Sequence, residues 1–247
     1  MNPVTGVVFR PQSPPEELRA VVELADQAGI AELWLWEDCF LEGGLTTAAA
    51  ALAWSSRLTV GIGLLPVPLR NPALAAMEIA TVARLFPDRL VVALGHGVQE
   101  WMVQVGAAVS SPMALLREHT SAVRSLLNGE TVHLSGRYVR LDNVALDWPP
   151  PVPPRLLIGA RGPKSVALAG EIADGVLLDT VVDAAVVRQA RELVGVDSHV
   201  AVYTEVADPV AVLDWIAELG DAGADTVILQ ATGDAPDARP LIEALAR

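Results

Sequence analysis

The sequence of 247 residues predicts an α/β protein with the (β/α)8 TIM-barrel fold. Short runs rich in Val, Ile and Leu alternate along the chain with stretches of 3.6-residue apolar spacing. The strand runs are apolar throughout, as is typical of parallel strands that are covered on both faces. Eight such strands in a chain of this length favour a closed barrel over an open sheet. We therefore expect a single domain over residues 1–247.

The predicted strands are short and β-branched, and each is followed by a loop or a helical stretch. In order they are residues 4–9, 31–36, 57–63, 89–94, 155–159, 175–179, 199–206 and 225–230. Parallel strands place all their carboxyl ends at one face of a barrel. In such barrels this face carries the active site.

Stretches with helical spacing lie between these strands. They are residues 15–29, 71–86, 111–129, 163–173, 184–195, 209–223 and 237–247. Pro15, Pro72 and Pro112 stand at or near first-turn positions, where a missing N–H group costs nothing. Gly29 and Gly129 follow last turns, where glycine accepts a left-handed conformation.

Residues 129–154 break the alternation of strands and helices. They contain alternating side chains around a glycine turn, followed by a proline-rich return. This pattern predicts a β-hairpin. We expect an excursion from the barrel between the fourth helix and the fifth strand.

The composition excludes several classes of partner and site. A formal net charge of -13 argues against binding to nucleic acid or to an anionic membrane surface. The single cysteine, Cys39, excludes an internal disulfide and a multi-cysteine metal site. The N-terminal residues lack the pattern of a signal peptide, and no apolar run is long enough to span a bilayer. We expect a cytoplasmic protein that acts on a small molecule, with no metal ligands.

The loop that leaves the fifth strand combines glycines and cations at the start of a helix. Gly159 and Gly162 permit close approach of the backbone, and Arg161 and Lys164 supply positive charge. Unpaired N–H groups and the helix dipole favour an anion there, either phosphate or carboxylate. The alternative is a tight turn with Pro163 in the first helical position and two solvated cations.

Residues 158–179, IGARGPKSVALAGEIADGVLLD, resemble the luciferase-like family of flavin and deazaflavin oxidoreductases. The resemblance is strongest to the methylenetetrahydromethanopterin reductase branch, which uses coenzyme F420. Residues 15–38, 46–97 and 126–146 fit the family pattern in the same order. The resemblance implies a barrel whose mouth holds an isoalloxazine or deazaflavin ring.

The family pattern also implies how the coenzyme phosphate is held. In the family, the loop after the fifth strand cradles this group. The residues at the matching positions are Gly159, Ala160, Arg161 and Gly162, with Gly175 and Val176 nearby.

Two further loops match ring-contacting positions of the family. The resemblance implies a cis peptide bond between Gly63 and Leu64 that supports the ring, although an ordinary strand end is the alternative. Gly95, His96 and Gly97 follow the fourth strand and would contact the ring or its side chain. His96 is a candidate for hydrogen bonding or for acid/base catalysis, and a purely structural role is the alternative.

The second strand ends with Asp38 followed by Cys39, where many relatives carry an Asp–His pair. A thiol does not replace a near-neutral base unless its pKa is lowered. Asp38 is therefore the leading candidate for a catalytic or coenzyme contact, with a loop-capping role as the alternative. Arg70, after the third strand, either meets an anionic ligand or is solvated.

These observations leave three functional hypotheses. The first is an F420-dependent oxidoreductase that transfers a hydride between the deazaflavin ring and a small organic substrate. The second is an FMN-dependent monooxygenase that uses reduced flavin and O2. The third is a non-catalytic flavin-binding or deazaflavin-binding protein, which the missing histidine favours. The resemblance also implies a homodimer packed through barrel helices.

Overall fold

The structure, a computed structural model, describes residues 2–207 and 212–246 and contains a closed barrel of eight parallel strands. The barrel strands are β1 (Val4–Phe9), β2 (Glu32–Leu35), β3 (Thr59–Pro66), β4 (Leu90–Gly95), β7 (Arg155–Ala160), β8 (Gly175–Leu178), β9 (His199–Glu205) and β10 (Thr226–Gln230). Around the barrel they follow the order β1-β10-β9-β8-β7-β4-β3-β2. The predicted TIM barrel is confirmed, with every predicted strand present.

Helices surround the barrel. They are α1 (Leu18–Ala28), α2 (Gly44–Trp54), α3 (Pro72–Leu85), α4 (Gln99–Gln104), α5 (Pro112–Leu127), α6 (Pro163–Ile172), α7 (Ala184–Val194), α8 (Val212–Asp221) and α9 (Arg239–Leu245), with 3-10 turns η1 (Pro15–Glu17) and η2 (Val67–Leu69). The start of the predicted 209–223 helix and the last residue of 237–247 lie outside the described residues. In the part of the chain that the structure describes, no helix has the length and apolar character needed to cross a membrane.

Helices α2 and α4 were absent from the sequence prediction for different reasons. α2 is rich in alanine, so its apolar residues do not form a stripe on one side. α4 has six residues, which is too short to show a helical period.

The predicted hairpin is present between α5 and β7. Strand β5 (Val132–Ser135) pairs antiparallel with β6 (Arg140–Val144). The Glu118 carboxylate on α5 accepts hydrogen bonds from the backbone N–H groups of Tyr138 and Val139 at 2.8 and 3.0 Å. The excursion is therefore anchored to the helix that precedes it.

Side chains inside the barrel form a separate apolar cluster from those between strands and helices. The inner cluster contains Val8, Trp34, Val91, Ala93, Leu157, Leu177, Ala201, Tyr203 and Ile228. A Cβ atom on Gly61 would lie 2.3 Å from the Trp34 indole, so this glycine makes room for the largest inner side chain. The inner cluster fills the cylinder, so the barrel interior is a packed core and not a channel.

Candidate functional site

The rim at the carboxyl ends of the strands has two chemically different halves. Side chains of a strand point alternately into and out of the barrel. The residue two positions after a member of the inner cluster therefore points inward too, one layer closer to the rim. Strands β3, β4 and β7 contribute glycines there: Gly63, Gly95 and Gly159. The remaining strands and the residues that follow them contribute mainly polar or aromatic groups: Arg10, Trp36, Asp38, Asp179, Tyr203 and Gln230.

In the glycine half, the side chain of Leu64 occupies the space that the glycines leave. A Cβ atom on Gly95 or Gly159 would lie 2.5 or 2.3 Å from the Leu64 Cδ2 atom. The predicted cis peptide bond between Gly63 and Leu64 is confirmed, and a second one, Cys39–Phe40, was not predicted. These glycines accommodate Leu64, which presents a half-buried apolar surface at the mouth.

The loop after β4 also needs a glycine, for a backbone reason. Gly97 has a φ of 68°, in the left-handed region that favours glycine. A Cβ atom there would also lie 2.9 Å from the Pro66 Cβ atom. Gly97 therefore shapes the turn beside the rim.

In the polar half, Arg10, which follows β1, contacts groups on or just after three other strands, β2, β9 and β10. Its guanidinium carbon lies 5.0 Å from the centre of the Trp36 ring. The same group donates a 2.5 Å hydrogen bond to the Ala231 carbonyl oxygen and lies 3.4 Å from the Glu205 carboxylate. Arg10 was not predicted as a site residue from the sequence, although it stands two positions after the inward-facing Val8.

Tyr203 carries the aromatic packing below the mouth. Its ring contacts Trp34 and Trp36 edge to face, with centroid distances of 5.9 and 5.8 Å. Burial raises the pKa of the Tyr203 hydroxyl well above its usual value, although the neighbouring Trp36 indole opposes this effect. Tyr203 is therefore neutral at physiological pH, and its hydroxyl acts as a hydrogen-bond donor.

Asp38 and Asp179 stand on opposite sides of the mouth. They follow β2 and β8, which are four positions apart in the ring of eight strands. Burial raises the pKa of the Asp38 carboxyl, and the negative charge of Asp179 raises it further, whereas Arg10 lowers it. Asp38 therefore holds a proton more readily than an exposed carboxyl does.

The loop after β7 reaches the rim, as predicted for Gly159, Ala160, Arg161 and Gly162. Arg161 forms an ion pair with Asp179, so its charge is already partly balanced. Gly162 precedes α6 without a side-chain cap, and a Cβ atom there would have no atom within 4 Å. Ala160 belongs to the apolar layer under the helices, so it offers only its backbone to the mouth.

The prediction that Gly175 and Val176 lie near the coenzyme is wrong. Both residues begin β8, whereas the mouth is at the other end of this strand, about 10 Å away. A Cβ atom on Gly175 would lie 2.0 Å from the His199 carbonyl oxygen, so this glycine permits close packing of β8 against β9. Val176 is fully buried in the layer under the helices.

The structure also places the His96 side chain away from the mouth. His96 stands two positions after Leu94, which faces the helices, and its imidazole lies beside the backbone of Pro112 at the start of α5. Burial lowers its pKa, which keeps the ring neutral. The acid/base role considered for His96 is therefore not supported, because the strand phase turns its ring outward.

The Arg70 side chain forms an ion pair with a buried carboxylate, that of Glu37. It makes a two-pronged ion pair with Glu37, whose Oε2 atom also accepts a 2.8 Å hydrogen bond from the Gly44 N–H group. Glu78 lies 3.3 Å from the same guanidinium group. This network fixes the loop that carries Asp38, and no local sequence pattern indicates it because its members are far apart in the chain.

Two buried polar atoms at the mouth have no hydrogen-bond partner within the described residues: Trp36 Nε1 and Gln230 Oε1. Such atoms are rare in folded proteins, so they indicate hydrogen-bonding capacity that a ligand can use. No group of three or more His, Cys, Asp or Glu residues in the described ranges is arranged to hold a metal ion. The mouth therefore combines the apolar surface of Leu64 with unpaired polar atoms of Trp36 and Gln230.

Two cavities lie away from this rim. One of about 440 Å³ is lined by the hairpin, including His133 and Asp142. Another of about 280 Å³ lies between η2, α5 and the hairpin turn, next to Arg70 and His119. Neither is lined by Asp38, Asp179 or Tyr203.

Comparison with known proteins gives concordant results. Over 174 residues, the chain is 26% identical to a 5,10-methylenetetrahydromethanopterin reductase of Methanolobus tindarius, covering 70% of this chain and 53% of the relative. It is 32% identical over 171 residues to an F420-dependent glucose-6-phosphate dehydrogenase of Nakamurella multipartita, covering 62% and 50%. The chain thus spans about half the length of these curated relatives.

The fold agrees with a solved structure along its whole length. The coenzyme F420-dependent tetrahydromethanopterin reductase of Methanopyrus kandleri superimposes with a TM-score of 0.86 at 17% identity, covering 100% of this chain and 98% of that one. The model of the family described as luciferase-like monooxygenase matches residues 4–196. The chain therefore belongs to the luciferase-like monooxygenase family.

Proposed function

We propose that the chain is an F420-dependent oxidoreductase that transfers a hydride between the deazaflavin ring and a small organic substrate. The observation that carries this proposal is the two-sided mouth, in which Leu64 faces a polar half containing Asp38. The names of its relatives, a methylenetetrahydromethanopterin reductase and an F420-dependent dehydrogenase, support the coenzyme.

The residues at the rim fit a deazaflavin coenzyme. Leu64 would support the apolar face of the ring, and the backbone at Gly95 and Gly97 would line its edge. The loop of residues 159–162 would bind the phosphate, with Arg161 and the uncapped start of α6 as the positive groups. When bound, F420 supplies hydride exchange at its ring, and the protein supplies position and proton control.

Asp38 would control the proton in this reaction. Hydride transfer to or from a carbonyl or imine carbon is accompanied by movement of a proton on the neighbouring heteroatom. The raised pKa of Asp38 brings its two protonation states closer together in population near neutral pH. Trp36 and Gln230 would orient the polar group of the substrate through their unpaired atoms.

An FMN-dependent monooxygenase is the second candidate. The family described as luciferase-like monooxygenase gives it support, and none of the rim residues that the structure describes excludes the FMN ring or phosphate. A non-catalytic binding protein is the third. Cys39 supports it, because burial and the charges of Glu37 and Asp38 raise the thiol pKa, and the thiol is therefore not a ready base.

A spectral titration of the purified protein with F420 and with FMN tests these alternatives. Saturable binding of F420, with turnover on a panel of alcohols, carbonyls and imines, is the expected result. Binding of FMN alone, with oxygen consumption after reduction, would favour the monooxygenase. Binding without turnover on any substrate would favour the non-catalytic protein.

A homodimer is part of the proposal. Leu74, Met77 and Leu85 are exposed on α3, and their spacing places them on one side of the helix. Light scattering of the purified protein tests the dimer, and a monomer at micromolar concentration would argue against it. A cytoplasmic location without nucleic-acid partners stays a prediction from composition.

A further inference from the structure

Arg161 and Asp179 leave neighbouring strands side by side. The preceding residues, Ala160 and Leu178, are register partners in β7 and β8. The Arg161 guanidinium contacts the Oδ2 atom of Asp179, while Thr180 donates a 3.0 Å hydrogen bond to the Oδ1 atom. The Arg161 side chain is 83% exposed, whereas that of Asp179 is 34% exposed. Ion pairs that are open to solvent on one side are weak, so an incoming anion can replace Asp179 as the partner of Arg161.

Among the described residues, three other elements place charged or titratable groups at the mouth that contains Asp38. Arg10 follows β1, Asp179 follows β8 and Tyr203 lies on β9, all at inward-facing positions. The charge of Asp179 raises the pKa of Asp38 and that of Arg10 lowers it. On its own loop, the neighbouring Cys39 thiol keeps its proton. Glu37 is held by Arg70. Among the described residues, Arg10 is therefore the cation that lowers the pKa of Asp38, and Arg10 also pairs with Glu205.

The negative charge of Asp179 acts on both Arg161 and Asp38. In the free protein, Arg161 forms an ion pair with Asp179 and so offsets part of this charge. We infer that binding of a phosphate-bearing coenzyme draws Arg161 away from Asp179 and so causes Asp38 to take up a proton from solvent. This inference rests on the proposed function, because it assigns the coenzyme phosphate to the loop of residues 159–162.

The proton balance is simple. One proton moves from solvent to a carboxylate oxygen of Asp38, no bond to carbon changes, and nothing is oxidised or reduced in this step. Asp179 is a positioning residue, since it acts on the proton of Asp38 and not on the substrate. Binding of the coenzyme thus prepares Asp38 as an O–H donor towards the polar half of the mouth.

Calorimetric titration with F420 in buffers of different ionisation enthalpy measures this uptake directly. The titration is repeated at several pH values between the ordinary carboxyl pKa and neutrality. We expect the wild-type chain to take up a fraction of a proton at the maximum, because loss of a weak ion pair shifts the pKa of Asp38 by less than about one unit. Asp38→Asn and Asp179→Asn should bind F420 and lose the uptake. Asp142→Asn removes a fully exposed hairpin carboxylate and should behave as the wild type does.

A second measurement does not depend on the coenzyme. The carboxyl carbon of Asp38 is titrated by NMR in the free protein. Asp179→Asn should move its midpoint to lower pH, and Arg161→Gln should move it to higher pH, because the arginine no longer offsets Asp179. Equal midpoints in both variants and the wild type would overturn the inference.

The two proposals fail in different ways. Binding of F420 without proton uptake, or with the wild-type uptake in Asp179→Asn, overturns this inference and leaves the coenzyme assignment intact. A chain that binds neither F420 nor FMN overturns the proposed function and this inference together.

Discussion

The Tyr203 hydroxyl donates a 3.2 Å hydrogen bond to the carbonyl oxygen of Gly63. Tyr203 lies on β9 and Gly63 on β3, which stand four positions apart in the ring of eight strands. The bond therefore crosses the barrel and joins the polar half of the rim to the glycine half. It also holds the backbone that carries Leu64, so it links packing inside the barrel to the shape of the mouth.

Removal of the Tyr203 hydroxyl should destabilise the protein, because the hydrogen bond across the barrel is lost. Tyr203→Phe keeps the ring and leaves the Gly63 carbonyl without its donor, which should lower the free energy of unfolding by about 1–2 kcal/mol. Urea denaturation measures the change. Tyr138→Phe, which removes an exposed hydroxyl bonded to Ser110, is the matched control and should cost less than about 0.5 kcal/mol. Equal losses of stability in the two variants would show that the hydrogen bond from Tyr203 to Gly63 contributes no more than an exposed one.

Gly95 should be required because of Leu64. In Gly95→Ala, the new Cβ atom would meet Leu64, and overpacking should cost about 1–3 kcal/mol. In a Leu64→Ala background, the same change should cost less than about 1 kcal/mol, since the clash is gone. Denaturation of the four proteins in this cycle gives the coupling, and strictly additive costs would contradict the packing explanation.

Substitutions at Gly162 test whether the loop of residues 159–162 binds the coenzyme phosphate. Gly162→Asp places a carboxylate at the uncapped start of α6 and should weaken coenzyme binding at least about tenfold through repulsion of the phosphate. Gly162→Ala has free space and an ordinary φ of -102°, so it should bind like the wild type. Fluorescence titration measures both affinities. Unchanged affinity in the aspartate variant would remove the phosphate from this loop.

Asp38 should matter more for turnover than for folding. Asp38→Asn keeps the size of the side chain but cannot exchange a proton, and we expect the turnover number to fall about a hundredfold. The free energy of unfolding should change by less than about 1 kcal/mol, because the structure gives Asp38 no side-chain hydrogen bond within the described residues. Steady-state kinetics and urea denaturation separate the two effects. Full activity would strike Asp38 from the site.

Buried histidines should make the fold sensitive to acid. Burial lowers the pKa of His119 to about 4, and its Nε2 atom lies 3.1 Å from the Arg70 carbonyl oxygen. Between the unfolded pKa near 6.5 and the folded pKa, only the unfolded chain binds the proton, so stability falls as the pH falls. The loss should reach on the order of 3 kcal/mol from this residue.

His199, whose pKa burial also lowers to about 4, acts in the same direction. The measurement is the free energy of unfolding at a series of pH values. His119→Gln should flatten the dependence below about pH 6.5. An unchanged slope in this variant would assign the acid sensitivity to other groups.

The strands could be predicted from the sequence because their signal is local. β4 and β8 are continuous apolar runs bounded by loops, and each is buried on both faces in the barrel. The loop of residues 159–162 could be placed at the rim because it follows a parallel strand. α2 could not be recognised, since an alanine-rich helix lacks an apolar stripe.

The polar half of the mouth was harder to predict. Tyr203 and Gln230 lie within strands that read as core, and their roles depend on partners across the barrel. The sequence alone also does not show whether a glycine makes room for a ligand or for a neighbouring strand. Gly175 was assigned to the coenzyme, whereas its missing side chain accommodates the backbone of β9 at the opposite end of the barrel.

The most direct measurement is the position of F420 in a crystal structure of its complex with this protein. We expect a ring with its apolar face against Leu64, its opposite side open towards Asp38, and its phosphate at Gly162. A ring bound at the hairpin cavity, or a phosphate distant from residues 159–162, would contradict the proposed site.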